Sequence, residues 1–218
     1  VIPDYIHLQG ENATDTILDA EGTGSVIDLG GSISHLTVQN GLGDRGGGVK
    51  VTSDTAAIIS CIVKGNQANS GGGVFAQKYT IICDCQITGN TGNLEGGGVC
   101  IEGSDTHIYN CIISDNVSEV GGGVMISFSS DCSVSNSEFS GNTASLSGGG
   151  IYCFGSQCNI TNNLIHHNTA NEFGGGLFKD HTDLNISNVT FTENSAVNGG
   201  GIACTGAMTT TISNCIVY

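Results

Sequence analysis

Short runs in which apolar and polar residues alternate recur along the whole chain. Leu184 and Ile186 alternate with polar neighbours, and Val189 and Phe191 resume the alternation one residue out of phase. Alternation with a period of two is the pattern of a half-buried β-strand. The change of phase at Asn188 turns the chain while keeping apolar side chains on the inside. Each run therefore predicts two short strands joined by a sharp corner.

Three sequence marks recur with one shared period, which indicates a repeat fold. Gly-Gly-Gly followed by Val, Ile or Leu occurs seven times, in steps of 25, 25, 25, 27, 26 and 25 residues. The triplets begin at Gly46, Gly71, Gly96, Gly121, Gly148, Gly174 and Gly199. The second mark is Asn40, Asn66, Asn90, Asn116, Asn142, Asn168 and Asn194, and the third is Ser60, Asp84, Asn110, Asn136, Asn162, Asn188 and Asn214. Helical repeats are excluded, since each glycine costs about 1 kcal/mol in a helix interior.

These repeats predict an all-β fold, a right-handed three-sided parallel β-helix of about seven to eight coils of 25–26 residues. Residues 1–218 are predicted to form a single domain, with 41–218 as the regular repeats. Residues 1–40 are expected to form irregular first coils, with Ile33–Val38 as their last strand. We expect the chain to be a fragment of a longer protein, and end-to-end stacking with further coils is the alternative, since bare strand edges attract other chains.

Composition and charge exclude several classes of partner. The chain carries 5 basic and 20 acidic residues, a net charge of −15, and its basic residues are scattered. Nucleic-acid binders need clustered Lys and Arg to replace phosphate counterions, so we expect no nucleic-acid partner. The sequence has no run of 18 apolar residues, so no membrane span is predicted.

Several segments resemble a known superfamily. Residues 17–22 and 33–41 resemble an early coil of the pectate-lyase-like right-handed β-helix superfamily. Phe139 and Asn142 before the triplet at Gly148, like Phe191 and Asn194 before Gly199, are similar to the repeats of bacterial polymorphic outer-membrane and anchored surface β-helix proteins. The resemblance implies an extracellular or cell-surface location, with the bacterial outer surface favoured, and an adhesive role.

An apolar stripe on outward strand positions is the candidate binding site. Its members directly follow the glycine triplets or lie two residues further on, and they are Phe75, Met125, Tyr152, Phe154 and Phe178. Aromatic rings at solvent-facing positions can stack on sugar faces or bind a protein partner. The stripe is therefore predicted to bind a glycan or a protein ligand. The alternative is that loops or a neighbouring domain cover it.

The sequence offers no pair of catalytic residues. Polysaccharide lyases and hydrolases of the superfamily use outward carboxylates, and the lyases add Arg or Lys bases. Glu102 and Asp180 lie three coils apart, about 14 Å by strand spacing, whereas glycosidase carboxyl pairs need about 5–9.5 Å. Arg45 is expected in a corner loop at one end. The favoured function is a non-enzymatic structural or adhesive module, and the alternative is a polysaccharide-binding or polysaccharide-degrading protein, as a lyase or glycoside hydrolase.

No cofactor or metal site is predicted. His166 and His167, with His181 nearby, are interpreted as solvated corner histidines, because no third ligand recurs at a fixed spacing. Weak calcium binding by acidic residues near the corners stays open. Lys179 occupies a slot that is apolar in the other coils, and a strand bulge or local disorder is expected there because a buried Lys needs a partner or loses its proton.

The ten cysteines leave two interpretations open. Cys132 and Cys158 occupy equivalent positions in adjacent coils, about 4.8 Å apart, which a disulfide accepts. They are the favoured bridge in an oxidising compartment, with Cys153–Cys158 as a competitor. The alternative is that inward cysteines are small core residues that stay reduced.

Overall fold

The computed structural model describes residues 1–103, 105–129 and 131–218. These residues form short β-strands and no helix, and therefore no helix able to span a bilayer. The strands are β1 His7–Gln9, β2 Ile17–Asp19, β3 Ile27–Leu29, β4 Ser32–Ser34, β5 Thr37–Gln39, β6 Val49–Val51, β7 Ala56–Ile59, β8 Ile62–Lys64, β9 Gln67–Ser70, β10 Val74–Ala76, β11 Thr80–Cys83, β12 Gln86–Thr88, β13 Thr91–Glu95, β14 Val99–Glu102, β15 Thr106–Tyr109 and β16 Ile112–Ser114. They continue as β17 Val117–Val120, β18 Val124–Ser127, β19 Cys132–Ser135, β20 Glu138–Ser140, β21 Thr143–Ser147, β22 Ile151–Phe154, β23 Gln157–Thr161, β24 Leu164–His166, β25 Thr169–Ala170, β26 Leu177–Asp180, β27 Asp183–Ser187, β28 Thr190–Thr192, β29 Ile202–Thr205, β30 Thr210–Ser213 and β31 Ile216–Val217.

The strands stack into three long sheets around a common axis. Sheet 1 follows the glycine triplets and contains β3, β6, β10, β14, β18, β22, β26 and β29. Sheet 2 contains β1, β4, β7, β11, β15, β19, β23, β27 and β30, and sheet 3 contains β2, β5, β8, β12, β16, β20, β24, β28 and β31. Each strand pairs in parallel with its equivalents one coil before and one coil after, as Ile82 does with Ile58 and Ile108. The predicted right-handed three-sided parallel β-helix is confirmed.

A fourth, shorter ladder lies at the corner between sheet 3 and the glycine triplets. It consists of β9, β13, β17, β21 and β25. Its inward positions are Ala68, Gly92, Ser118, Ala144 and Ala170. The chain bends sharply there, so only small side chains fit on the inside. Its register shifts after Gly92 and after Ser118, and the ladder ends within a few residues.

The core is a stack of apolar layers inside the three sheets. Ile82, Ile108 and Val134 form one fully buried column, and Ile113, Phe139 and Ile165 form another. Each Å² of apolar surface that is buried stabilises the folded state by about 25 cal/mol. Because one coil is too thin to bury its own side chains, each layer depends on the coils above and below it.

Lys179 lies inside this core without the expected bulge. Its strand keeps regular register, with Cys153 on the preceding coil and Cys204 on the following one. The residue is only 1% exposed, and its Nζ donates a hydrogen bond of 2.9 Å to the carbonyl of Met208. The expectation of a bulge is wrong because the long side chain reaches a backbone acceptor near the last coils. This hydrogen bond gives the buried Nζ a polar partner while the strand stays in register.

The two asparagine marks have different roles. The third mark, from Ser60 to Asn214, occupies the left-handed region at every coil, with φ between 49° and 56°. This confirms the corner conformation expected at Asn188, since Asn and Asp adopt it more readily than most residues. Stacked amide hydrogen bonds form instead along the second mark, where the buried Asn116 donates from its backbone N and from Nδ2 to Oδ1 of Asn142.

The first coils follow the same plan more closely than expected. The single strand predicted at Ile33–Val38 is two strands, β4 and β5, separated by His35 at φ 55°. His35 therefore occupies the corner position that Ser60 takes in the next coil, and β4 pairs with β7 while β5 pairs with β8. The change of phase typical of a corner is present in the sequence, since Leu36 and Val38 follow Ile33 one residue out of step. The prediction of one strand missed it because no glycine or asparagine stands at the turn.

Candidate functional site

The outward face of sheet 1 carries the predicted apolar stripe. Phe75, Met125, Tyr152 and Phe178 lie in one column, with Lys50 at one end and Cys100 in the middle. Phe154 lies in the neighbouring column, between Ser127 and Asp180. Phe75, Cys100 and Met125 form a cluster separate from the core, so these side chains do point away from it.

Three members of the stripe are not open to solvent as expected. Phe75, Met125 and Phe178 are 1%, 4% and 6% exposed, while Tyr152 and Phe154 are half-buried. The chain bends at the short ladder, and side chains from that corner lie against the stripe. The guanidinium of Arg45 lies 4.9 Å from the centroid of the Phe75 ring, and Val120 packs against the cluster. The expectation of a stripe open to solvent is therefore wrong for Phe75, Met125 and Phe178, and the alternative of covering by loop residues holds for them.

The accessible rings of this face, together with the buried Phe178 ring that two of them contact, form what we call the aromatic platform, defined as Phe128, Tyr152, Phe154, Phe173 and Phe178. The Tyr152 and Phe178 rings have centroids 4.9 Å apart, and Phe173 stacks on Phe178 at 5.4 Å. Phe154 meets the edge of Phe128 at 5.2 Å. Rings at these separations support one another by about 0.5–1.5 kcal/mol per pair beyond area burial. The platform is therefore held in place before any ligand arrives.

Phe128 is the member that the sequence reasoning missed. It is 65% exposed and has φ 53°, a conformation that is an outlier for a bulky residue. The equivalent residues in the neighbouring coils are Gly103 and Gly155, which also have positive φ. An aromatic residue in a glycine position stores strain of about 1–3 kcal/mol, and such strain concentrates at functional sites. The sequence contains a signal for this residue, since Phe128 stands where the coils before and after it have Gly103 and Gly155.

A group of polar side chains continues the same face toward the N-terminal coils. We call Arg45, Lys50, Gln77 and Glu102 the polar cluster. Arg45 Nη1 lies 3.2 Å from Glu102 Oε2, and Gln77 Nε2 donates to the same oxygen at 2.8 Å. The sequence placed Arg45 in a corner loop at one end. The structure shows that its long side chain crosses the Phe75 coil to reach Glu102.

Glu102 and Asp180, which share an outward column of sheet 1, are too far apart for paired acid–base chemistry. Glu102 and Asp180 are separated by Ser127 and Phe154 in the strand register, which corresponds to about 14 Å. Glycosidase pairs need about 5–9.5 Å. Asp180 instead accepts a hydrogen bond of 2.8 Å from Thr205 and lies 2.7 Å from His181 Nδ1.

Burial affects the chemistry of the Tyr152 hydroxyl. Partial burial, and then the nearby negative charge of Asp180, raise the pKa of Tyr152 above its usual value. The phenol therefore stays protonated at neutral and mildly alkaline pH. It can both donate and accept a hydrogen bond at the edge of the platform.

Cys132 and Cys158 are direct strand neighbours in sheet 2. Both are buried, and all ten cysteines of the chain are free thiols in the structure. The hydrogen bond with Cys158 and burial raise the pKa of Cys132 well above its usual value. Because thiolates are the reactive form, the Cys132 thiol reacts slowly in the folded protein.

The predicted bridge can be tested by counting thiols. If Cys132 and Cys158 are joined, titration of the denatured protein after oxidative refolding will give eight thiols instead of the ten in the sequence. A Cys132→Ser variant treated in the same way should then show nine thiols. Ten free thiols in the parent protein would end the proposal of a bridge.

The histidines do not converge as a group. His181 pairs with Asp180 beside sheet 1, whereas His166 and His167 lie at the end of β24 in sheet 3. Within the described residues, no group of three or more His, Cys, Asp or Glu side chains is placed to hold a metal ion. Weak calcium binding at the corners stays a prediction.

A family model described as a right-handed β-helix region matches residues 47–217. Among solved structures, the A-module of a mannuronan C-5 epimerase from Azotobacter vinelandii is similar at 12% identity and a TM-score of 0.40, over 99% of this chain and 84% of that chain. A comparison with curated protein sequences finds no match.

Proposed function

Because the chain belongs to the right-handed β-helix family, we propose that it is a rigid, non-enzymatic module that binds a glycan along the outward face of sheet 1. The fold alone supports many functions, so the function follows from the side chains of the site. The observation that carries it is the continuity of the aromatic platform with the polar cluster on one face. The resemblance of the repeats to bacterial surface proteins supports placing this activity outside the cell.

The two halves of the face supply the two kinds of contact that sugars need. Rings such as Tyr152 and Phe154 offer flat apolar surfaces to the C–H faces of a sugar, while Arg45, Gln77 and Glu102 offer hydrogen-bond donors and acceptors. Glu102 and Phe154 are two coils apart in the same column, about 10 Å. A ligand that contacts both must therefore be an extended chain of several sugar units.

The rigidity of the solenoid favours such binding. The strands of sheet 1 are fixed by the coils on both sides, and the platform rings already contact one another. Preorganised side chains lose little conformational entropy when a ligand binds. A weak ligand contact on each coil can therefore add up along the axis.

We expect a Tyr152→Ser/Phe154→Ser double variant to bind its glycan at least tenfold more weakly. Each ring contributes about 1 kcal/mol to a stacking contact, and 1.4 kcal/mol corresponds to a tenfold change in Kd. The ligand would be found by screening the parent protein on a glycan array, and the Kd of both proteins would then be measured by titration.

The matched control is Ile112→Ser/Leu164→Ser, which removes two part-exposed apolar residues from sheet 3. This control should keep the parent affinity and show that loss of surface apolar area is not sufficient. Equal Kd values for the parent and the Tyr152/Phe154 variant would contradict the proposed site. Binding of a protein but of no glycan would contradict the proposed ligand class.

Polysaccharide cleavage is the second candidate, and the contact between Arg45 and Glu102 favours it. An Arg beside a carboxylate supplies both a positive charge and a proton acceptor on the sugar-binding face. Incubating the bound glycan with the protein and analysing the products distinguishes the two functions. An unsaturated or hydrolysed product, absent with an Arg45→Met variant, would replace the non-enzymatic proposal.

A further inference from the structure

His166 and His167 form a contact on sheet 3 that the glycan-binding face does not explain. His166 ends β24, and His167 follows at φ 56°. The Nδ1 atoms of the two rings are 2.7 Å apart, and the ring planes are nearly perpendicular at 80°. The pair belongs to a different sheet from the aromatic platform and the polar cluster.

Each ring is also held from its far side by a carboxylate of a neighbouring coil. Nε2 of His166 lies 3.1 Å from Oε1 of Glu138, on the coil before. Nε2 of His167 contacts Oε2 of Glu193, on the coil after. The four side chains therefore form a row across three successive coils, in the order Glu138, His166, His167 and Glu193.

This arrangement leaves two nitrogen lone pairs facing each other. An ionised carboxylate only accepts hydrogen bonds, so each Nε2 must carry the hydrogen. In a neutral imidazole with hydrogen on Nε2, Nδ1 is unprotonated and presents a lone pair. Two such lone pairs at 2.7 Å repel each other unless a cation lies against both. The cation is either a proton shared by the pair or a metal ion.

We propose that the Nδ1 atoms of His166 and His167 chelate a divalent transition-metal ion of the Zn²⁺ or Cu²⁺ type. A carboxylate on the far nitrogen of a ligating histidine is the usual outer partner of such sites, because it fixes the tautomer and the ring orientation. Here both rings have that partner. The two glutamates also offset the double charge of the ion, and the net charge of −15 favours the approach of cations.

The geometry requires only a small movement. Metal–nitrogen bonds of about 2.0–2.1 Å at roughly tetrahedral angles separate two ligand nitrogens by about 3.3 Å. The present 2.7 Å separation therefore opens by about 0.6 Å, which the exposed His167 side chain permits. The described residues provide no third side-chain ligand, so water completes the coordination. Imidazole pairs select Cu²⁺, Zn²⁺ and Ni²⁺ over Ca²⁺ and Mg²⁺, which prefer oxygen.

Calorimetric titration of the full chain with Zn²⁺ and with Cu²⁺ tests the proposal. We expect one site per chain, tighter for Cu²⁺, and no competition from a large excess of Ca²⁺. His167→Ala should weaken binding by at least tenfold, and Glu138→Gln or Glu193→Gln by about 10–100-fold, since outer partners of ligands have effects of that size. The Glu variants carry the test, because they leave both ligand nitrogens in place.

The matched control is His107→Ala, which removes a part-buried ring on sheet 2 whose Nδ1 lies 2.7 Å from Ser133 Oγ. This variant should keep the parent affinity, and circular dichroism should show that every variant keeps its β-structure. Parent affinity in a His166→Ala/His167→Ala double variant would assign the metal to another part of the chain and overturn the proposal. Absence of heat with both ions would leave the shared proton as the only cation and would equally overturn it.

Discussion

Replacing Asn142 with alanine is expected to lower the free energy of unfolding by about 4 kcal/mol. Oδ1 of Asn142 accepts from the backbone N and from Nδ2 of Asn116, at 3.1 and 3.0 Å. Its Nδ2 donates to the carbonyl of Ile113 at 2.8 Å and to Oδ1 of Asn168 at 2.9 Å. Both Asn116 and Asn142 are fully buried, so water cannot replace the lost partners. Each buried group left unsatisfied costs about 1–3 kcal/mol.

Urea denaturation followed by circular dichroism measures this effect. The matched control is Asn159→Ala, since Asn159 is exposed and accepts only one long bond of 3.4 Å from Asn185. Exposed substitutions of this kind change stability by less than about 0.5 kcal/mol. If Asn142→Ala and Asn159→Ala unfold at the same urea concentration, the buried amide ladder is not a major source of stability.

Replacing Gly122 with alanine is expected to cost at least about 3 kcal/mol, at the upper end of overpacking effects. A Cβ atom at Gly122 would lie 2.5 Å from the carbonyl oxygen of Gly149 and 2.6 Å from that of Thr143. Both atoms belong to the backbone of the next coil, so no side chain can rotate away. The coils must separate locally, which weakens the bonds that Gly122 and Gly123 donate to Gly148 and Gly149 at 3.0 Å.

Gly89→Ala separates this steric effect from ordinary backbone strain. Gly89 has φ +63°, and a Cβ atom there would meet nothing within 4 Å. The substitution should therefore cost only about 1–2 kcal/mol, the usual cost of a left-handed conformation. Thermal and urea unfolding of both variants provide the comparison. A Gly89 variant less stable than the Gly122 variant would contradict close coil contact as the reason for the triplets.

The sequence by itself was sufficient for the fold. A solenoid uses one register throughout, so the alternation around Asn188 and the spacing of the triplets fixed which residues share a column. The sharp corner predicted at Asn188 is present, and the glycine triplets that recur in step along the sequence pair from coil to coil. The corner at His35 was missed, because neither glycine nor asparagine marks it.

The sequence also placed the residues of the candidate site in the correct columns, yet it could not establish their exposure or partners. Whether the stripe is open or covered depends on how far Arg45 reaches over Phe75, and on Val120 packing against the cluster of Phe75, Cys100 and Met125 at the bend of the short ladder. That reach is a property of side-chain length and corner geometry, which a repeat pattern does not encode.

Contacts between side chains of different coils also could not be read from the sequence and were decided by the tertiary structure. The sequence assigned Arg45 to a corner and interpreted His166 and His167 as solvated residues. The tertiary structure connected Arg45 with Glu102, and connected the two histidines with Glu138 and Glu193 on neighbouring coils. Periodicity determines the position of each Cα along the axis, because every coil repeats one backbone path. Long polar side chains choose partners by distance and charge across coils, and only the folded structure decides those pairings.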